Sequence, residues 1–311
     1  MPQPYLSVVV PVYNEEVNLE PLMGRLYPVL QKTGLPFEII FTNDGSRDRS
    51  LEILCRMSSE YQGVKVIEFN GNFGQHMAIL AAFEMSRGDV VITLDADLQN
   101  PPEEIPRLVA EIEKGHDVVG TIRQKRQDPF YRRMASRVVN ITTNKMTGMQ
   151  MNDYGCMLRA YHRDIIENIN RCQETTTFIP ALAQTFSANP VEIEVAHAER
   201  SAGESKYSLY KLVRLNFDLM TGFSVVPLQL FALFGILTSL LSLAFALFLL
   251  VRRFIVGAEV EGVFTLFAIL FFFVGIIILG IGIVGEYVGR VYQEVRKRPR
   301  FVVRKTYGFE Q

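Results

Sequence analysis

The 311-residue sequence has no tryptophan and only three cysteines, none of them in a CxxC pair. An odd cysteine count without that spacing argues against a disulfide framework and indicates reduced thiols that face a cytosol. No GxGxxG follows a predicted strand and no GxxxxGK[ST] occurs, which excludes the usual dinucleotide and P-loop phosphate sites. The net charge of −1 provides no overall attraction to nucleic acid.

The N-terminus lacks the basic region of a signal peptide, and its apolar run at residues 6–12 is too short to span a membrane. Apolar residues make up 49% of the chain and concentrate after residue 225, where residues 226–251 and 262–285 carry no charged side chain. A membrane-spanning helix needs about 20 apolar residues. We therefore predict two transmembrane helices at these positions; two buried core helices are the alternative.

In the first 121 residues, short β-branched runs alternate with helical patterns. The predicted strands are 5–12, 37–42, 64–69, 89–94 and 117–121, and the predicted helices are 16–33, 49–60, 75–86 and 103–114. This alternation predicts an α/β domain with a mostly parallel sheet, in which ligands bind at the carboxyl ends of the strands. A late edge strand is predicted where Val191, Ile193 and Val195 alternate with polar residues.

An acidic motif, Asp95-Ala96-Asp97-Leu98-Gln99, follows the fourth predicted strand. Alternate residues of an extended segment point the same way, so two carboxylates and an amide oxygen can converge on one hard cation. Mg²⁺ or Mn²⁺ bound by so few protein oxygens also takes oxygens from a substrate phosphate. The motif predicts a metal-assisted site for a diphosphate leaving group; solvated loop carboxylates are the alternative.

Two further loops at predicted strand ends carry residues that suit a nucleoside. The first contains Pro11, Tyr13 and Glu15, an aromatic ring and an acid suited to a nucleobase and its ribose. The second offers Asp44 to a base edge or a ribose hydroxyl. Turns and helix N-caps favour the same residue types, which is the alternative for either loop by itself.

A basic segment at residues 123–137 follows the fifth predicted strand and contains six basic residues against one acid. Arginine binds phosphate through bidentate, charge-assisted hydrogen bonds, and Arg132 and Ser136 share a helix face because they are four residues apart. Contact with anionic lipid headgroups is the alternative. Residues 205–225 predict an amphipathic helix that lies in the membrane interface or packs on the globular domain.

Five stretches carry a family resemblance: VVVPVYNE at 8–15, NDGS at 43–46, DADLQ with PPEE at 95–104, RAY at 159–161 and GESKY at 203–207. With them, nearly the whole chain resembles family 2 glycosyltransferases of the polyprenyl-phosphate sugar transferase type. The runs NFGQH at 72–76, GTIRQ at 120–124, DYGCMLRAY at 153–161 and TFIP at 177–180 are similar to the subfamily that transfers 4-deoxy-4-formamido-L-arabinose to undecaprenyl phosphate.

The resemblance implies a GT-A catalytic domain, a UDP-sugar donor, an undecaprenyl phosphate acceptor, a Mg²⁺ or Mn²⁺ cofactor and a homo-oligomer, a tetramer in relatives. It assigns the donor nucleotide to Pro11, Tyr13, Glu15 and Asp44, and the metal to Asp97 and Gln99, with Asp95 on the metal or the nucleotide-sugar. The resemblance also implies that the lipid phosphate is bound by Arg123, Arg132 and Ser136. Arg200 and Lys206 would lie near the donor and acceptor phosphates. Asn43-Asp44 departs from the two acids that many relatives have.

The acceptor is a phosphate monoester that is ionised near neutral pH, so it needs little help from a base. A single in-line displacement would invert the anomeric carbon of the sugar. Asp153 is the candidate that orients or deprotonates the acceptor. UDP-glucose is the alternative donor. If the formamido sugar is transferred, the resemblance implies that the product is used in lipid A modification and antibiotic resistance.

The domain boundaries that we expect are 1–204 for the catalytic domain, 205–225 for the interface helix, 226–285 for the two spans and 286–311 for a basic tail. The tail has seven basic and three acidic residues, so the positive-inside rule predicts that it and the catalytic domain are cytoplasmic, at a bacterial inner membrane. A processive polysaccharide synthase is disfavoured because a QxxRW motif requires tryptophan. A nucleotide-sugar-binding scaffold without turnover and a flippase subunit remain alternatives.

Overall fold

The computed structural model describes residues 3–123, 156–172, 178–195, 226–256, 263–296 and 298–309. The chain divides into two compact units, one of Met1–Tyr207 with Arg298–Gln311 and the other of Ser208–Lys297. The predictions that concern residues 124–155, 196–225 and 257–262 therefore lie outside the described residues.

The first unit confirms the predicted alternation of strands and helices. Its first five strands are β1 (Leu6–Val12), β2 (Phe37–Asn43), β3 (Val64–Phe69), β4 (Val90–Thr93) and β5 (Val118–Arg123). Its first four helices are α1 (Glu16–Thr33), α2 (Ser50–Glu60), α3 (Gln75–Met85) and α4 (Ile105–Glu113), the last preceded by a 3-10 turn at Pro102–Glu104.

Five further elements complete this unit: β6 (Arg159–His162), α5 (Arg163–Arg171), α6 (Ile179–Phe186), β7 (Pro190–Val195) and β8 (Val303–Tyr307). The eight strands form one sheet in the order β7-β5-β6-β4-β1-β2-β3-β8. The β4-β1-β2-β3 block is parallel, whereas β6 and β8 run antiparallel to their neighbours. The mostly parallel sheet and the late edge strand β7 agree with the sequence prediction; strand β8 was not predicted.

The core lies on both faces of the sheet, as expected for central parallel strands. Val8, Val9 and Val10 of β1 are all fully buried, so side chains that point to opposite faces are covered alike. Helix α1 buries a stripe with helical periodicity that includes Leu19, Leu22 and Leu26. Helix α3 is buried almost all round, with every residue from Ala78 to Phe83 inside the core.

The second unit contains two long helices, α7 (Val226–Val256) and α8 (Val263–Val295). Their most apolar windows, Leu228–Phe245 and Phe272–Tyr292, have mean hydropathies of 2.0 and 2.1, and 0% and 6% of these windows is buried. Both helices are therefore long and apolar enough to cross a membrane. At 33 residues, α8 extends beyond the hydrocarbon thickness of a bilayer, which about 20 residues span.

Candidate active site

The loops after β1, β2, β3 and β4 lie at one edge of the sheet because these four strands are parallel neighbours. The chain order reverses between β1 and β4, and in open α/β sheets a crevice at such a switch point is where ligands bind. The sequence-predicted nucleotide and metal residues in the described part of the chain all belong to these loops or to the strand ends that lead into them. We call this side the carboxyl edge and the opposite side the amino edge.

The first and second loops are joined by hydrogen bonds between their backbones and short polar side chains. The amide of Asn14 donates to Ser46 Oγ at 3.1 Å, and Asn14 Oδ1 accepts from the amide of Arg47 at 2.8 Å. The amide of Glu15 donates to Ser50 Oγ at 2.9 Å. Asn14 has a φ of 56°, a left-handed conformation that asparagine tolerates better than most residues. These contacts fix the two loops as one surface.

The three predicted nucleotide residues of the first loop take different positions on that surface. Pro11 lies within β1 and pairs in register with Thr42. Tyr13 is 43% exposed, so its ring is accessible to a planar ligand. The Glu15 carboxylate accepts a hydrogen bond from Asn18 Nδ2 at 2.6 Å, which orients it beside the start of α1.

Asp44, the predicted nucleotide ligand of the second loop, is buried, with 3% of its surface exposed. Its two carboxylate oxygens accept hydrogen bonds from the amides of Phe73 and Gly74 at 2.6 and 2.9 Å. Burial raises the pKa of Asp44, and the two amide hydrogen bonds oppose that rise. Within the described residues, Asp44 forms no ion pair.

The second and third loops also approach each other through their backbones. Gly45 has a φ of 67°, and a Cβ on it would lie 2.6 Å from the carbonyl carbon of Gly71, so a larger residue would push the loops apart. Asn72 Nδ2 donates to the Asp44 carbonyl at 3.1 Å across the same junction. The position therefore requires glycine for its conformation and for its space.

In the acidic motif after β4, alternate residues differ in solvent exposure. Asp95, Asp97 and Gln99 are partly exposed, whereas Ala96 and Leu98 between them are buried. The prediction that this motif has an extended backbone is wrong, because residues 96–97 form a turn and Leu98 has a φ of 62°. A left-handed leucine costs about 1–2 kcal/mol, and such strain concentrates at functional sites.

Hydrogen bonds inside and beside the acidic motif orient its carboxylates. Asp97 Oδ1 accepts from the amide of Gln99 at 3.1 Å, and Asp95 Oδ1 accepts from Gln75 Nε2 at 2.7 Å. In the part of the chain that the structure describes, no group of three His, Cys, Asp or Glu side chains could hold a metal. A cation here would therefore use two carboxylates and the Gln99 amide oxygen together with oxygens from a substrate.

Gln75 and Asn72 lie in the candidate site and contact Asp95 and Asp44, but no role was predicted for either from the sequence. The available signal was the polar cluster at 70–76, which lies at a strand end and belongs to one of the subfamily-like runs. The neighbouring His76 has a buried Nδ1 without a hydrogen-bond partner among the described residues, and its ring packs edge-on against Phe178 at 5.2 Å. Burial lowers the pKa of His76 to about 4, so the ring is neutral at pH 7.

The acceptor side of the predicted site falls mostly outside the described residues. Arg123 ends β5, where it pairs in register with Val195, but only its backbone is described. The predicted residues outside the described part are Arg132, Ser136, Asp153, Arg200 and Lys206. The carboxyl edge thus brings together the residues that are predicted to bind the nucleotide and the metal, and all of these roles stay predictions.

Comparison with known proteins identifies the family to which the chain belongs. Residues 7–169, a little over half of the chain, match the model described as glycosyl transferase family 2. A Pectobacterium atrosepticum protein called undecaprenyl-phosphate 4-deoxy-4-formamido-L-arabinose transferase is 51% identical over 304 residues, 97% of this chain and 93% of the relative. A Pseudomonas aeruginosa protein with the same name is 53% identical over 304 residues, 96% of this chain and 89% of the relative.

Solved structures share the fold at much lower identity. Glucosyl-3-phosphoglycerate synthase from Mycobacterium tuberculosis, in complex with Mn²⁺, uridine diphosphate and phosphoglyceric acid, has a TM-score of 0.53 at 18% identity, covering 70% of this chain and 76% of that chain. The same synthase with Mn²⁺, UDP-glucose and phosphoglyceric acid has a TM-score of 0.52 at 20% identity. At such identity the likeness concerns the fold alone.

Proposed function

Because the chain belongs to glycosyl transferase family 2, we propose that it transfers 4-deoxy-4-formamido-L-arabinose from its UDP-sugar to undecaprenyl phosphate. The observation that carries this proposal is the carboxyl edge, where four loops joined by hydrogen bonds bring nucleotide-type residues beside a DxD motif. The names of the relatives with more than 50% identity over nearly their whole length support the choice of sugar and acceptor.

The donor nucleotide would lie against the first two loops. The exposed Tyr13 ring offers a stacking face, and Pro11 and Glu15 flank it along the chain. Asp44 would accept from a base edge or a ribose hydroxyl, because its carboxylate is fixed by two amides and has no cationic partner in the described residues. Lys206 would reach the donor phosphates from its loop.

The residues of the acidic motif fit a hard divalent cation, since they are partly exposed oxygen donors between buried neighbours. Asp95, Asp97 and Gln99 would hold Mg²⁺ or Mn²⁺ together with diphosphate oxygens of the donor. When bound, the ion supplies positive charge to the departing diphosphate. The Mn²⁺ complexes of the structural neighbours support a divalent ion here.

The reaction needs little acid–base chemistry from the protein. An oxygen of the lipid phosphate forms a bond to the anomeric carbon, the bond from that carbon to the diphosphate breaks, and UDP leaves with the electron pair. Attack from the opposite face inverts the anomeric carbon. Most of the rate enhancement comes from positioning and from charge stabilisation. Arg123, Arg132 and Ser136 would bind the lipid phosphate. Arg200 would approach the donor and acceptor phosphates, and Asp153 would orient the acceptor.

The two apolar helices support a membrane-associated enzyme whose acceptor is a lipid. We place the catalytic domain and both termini on the cytoplasmic side of a bacterial inner membrane, because basic residues predominate in the tail. The chain would assemble as a homo-oligomer, for which we propose a tetramer like that of relatives.

A transfer assay tests the proposal with the purified full-length chain in detergent, undecaprenyl phosphate, Mg²⁺ or Mn²⁺ and a panel of UDP-sugars. Mass spectrometry of the lipid reads the product. We expect a lipid product from the UDP-formamido sugar and none from UDP-glucose. A product from UDP-glucose alone would keep the mechanism and overturn the sugar. UDP binding without product from any donor would leave the scaffold alternative.

A further inference from the structure

The segment that follows the second membrane helix returns to the catalytic sheet. Helix α8 ends at Val295, and strand β8 begins at Val303 and pairs antiparallel with β3. Just before β8, the carbonyl of Val302 accepts a hydrogen bond from the amide of Asn70 at 3.1 Å. The segment therefore contacts β3 at its carboxyl end, where the loop of residues 70–75 begins.

An aromatic row connects this segment to that loop. The rings of Phe301 and Phe69 stack with centroids 5.2 Å apart and planes 15° apart. Phe69 is 2% exposed and meets Phe73 edge to face, with centroids 5.5 Å apart. Such ring pairs prefer defined geometries, so Phe301 restricts Phe69, and Phe69 restricts Phe73.

The loop at 70–75 holds two carboxylates of the carboxyl edge at once. The amides of Phe73 and Gly74 donate to Asp44, and Gln75 Nε2 donates to Asp95 at 2.7 Å. A displacement of Phe73 would move both amide donors away from Asp44 and shift Gln75 relative to Asp95. The loop thus couples the nucleotide residue to the acidic motif.

We propose that Phe301 is a positioning residue of the donor site, which acts through Phe69 and the loop at 70–75. This inference rests on the proposed function, because it treats Asp44 and Asp95 as donor ligands. It gives the chain after the second membrane helix a role in donor binding.

A plainer role for β8 is to cover the edge of β3, since open edges invite unwanted pairing. The contacts that serve only that purpose are separable from the aromatic row. Tyr307 Oη donates to Glu68 Oε2 at 2.9 Å, and Arg304 pairs with Glu68 at 3.3 Å. Both of these contacts are made to Glu68 and neither involves the loop at 70–75, so Tyr307→Phe serves as a matched control on the same strand.

The test measures UDP binding by calorimetry and donor KM and kcat with the full-length chain in detergent. For Phe301→Ala we expect UDP affinity to fall about fivefold, the order expected for the loss of one aromatic contact. Donor KM rises by a similar factor, while kcat at saturating donor stays within about twofold because bound donor restores the loop. Phe301→Tyr retains wild-type affinity, and Tyr307→Phe leaves it unchanged.

Equal UDP affinity in Phe301→Ala and Tyr307→Phe would overturn the proposal. If Phe301→Ala does not fold, Phe301→Leu keeps the apolar volume and removes the stacking. Hydrogen exchange then compares the amides of Phe73 and Gly74: faster exchange in Phe301→Leu than in Tyr307→Phe supports positioning, and equal exchange contradicts it. This readout needs no substrate, so it decides whether Phe301 positions the loop separately from whether the wild type binds UDP, and the two failures are distinguishable.

Discussion

The two ends of strand β2 each carry a buried carboxylate, but the two are satisfied in different ways. At the amino edge, Glu38 is 2% exposed and accepts from Ser7 Oγ at 2.6 Å, the Arg87 amide at 2.7 Å and Lys65 Nζ at 2.7 Å. At the carboxyl edge, Asp44 is held by two backbone amides and has no ion pair within the described residues.

The difference supports our proposal that Glu38 is a structural carboxylate and that Asp44 binds a ligand. A buried charge with a cationic partner and full hydrogen bonding is compensated by the fold itself. Asp44 keeps a raised pKa from its burial, and a polar ligand can complete its hydrogen bonding. A cavity of about 610 Å³ opens at the amino edge beside Arg87 and Arg163, yet two of the carboxylates that line it, Glu38 and Glu167, are already in ion pairs.

The largest expected effect is on turnover, at the two ends of β4. Asp97→Ala should lower kcat by about 10²–10³-fold, because a group that stabilises the leaving charge is lost. Asp89→Ala is the matched control, since Asp89 is exposed and lies at the amino end of the same strand. The transfer assay measures both. Retained turnover in Asp97→Ala would remove the acidic motif from the mechanism.

Asp44→Asn should weaken UDP binding about tenfold or more, since one acceptor of a charge-assisted hydrogen bond is lost. The melting temperature should fall only slightly, because the loss of one of the two amide hydrogen bonds to Asp44 is largely offset by the removal of a buried charge. Burial raises the pKa of Asp44, so the folded chain binds this proton more tightly than the unfolded chain, and ionisation above that pKa disfavours folding. Calorimetry with UDP and thermal unfolding give the two values. A large loss of stability with unchanged affinity would reverse the comparison.

Glu38→Gln should show the opposite pattern. It leaves Lys65, whose side chain is 15% exposed, without its carboxylate, so we expect a loss of about 1–3 kcal/mol in the free energy of unfolding. UDP affinity of the folded variant should equal that of the wild type. Denaturant unfolding and calorimetry measure the two quantities. An affinity loss comparable with that of Asp44→Asn would mean that the amino edge contributes to donor binding.

The smallest expected effect concerns His76 and pH. The pKa of His76 is about 4 in the folded chain, whereas the ordinary value, which applies to the unfolded chain, is 6.5. Between pH 4 and pH 6.5 the unfolded chain therefore binds more protons than the folded chain. Acidification through that window therefore lowers the free energy of unfolding. His76→Gln should reduce the fall in melting temperature between about pH 7 and about pH 5 by about 2–4 °C. A fall in melting temperature that is the same in His76→Gln as in the wild type would contradict this expectation.

The sequence predicted the elements of the carboxyl edge well because their signals are local. Periodicity marked β1 to β4 and their helices, and polar residues at strand ends marked the loops. The contacts that organise the edge are not local: Gln75 and Asp95 are 20 residues apart, and Tyr307 and Glu68 are 239 apart. No periodicity reports such pairs. The strand VRKTY of β8 carries two basic residues, so its composition indicated only part of a basic tail.

The most direct test of the comparison is a cryo-electron microscopy structure of the full-length chain in lipid nanodiscs with UDP and Mn²⁺. We predict nucleotide density at the carboxyl edge, with the uridine against Asp44 and the diphosphate near Asp97, and no nucleotide beside Glu38. Nucleotide bound in the amino-edge cavity near Arg87 and Arg163, with none at Asp44, would contradict the account.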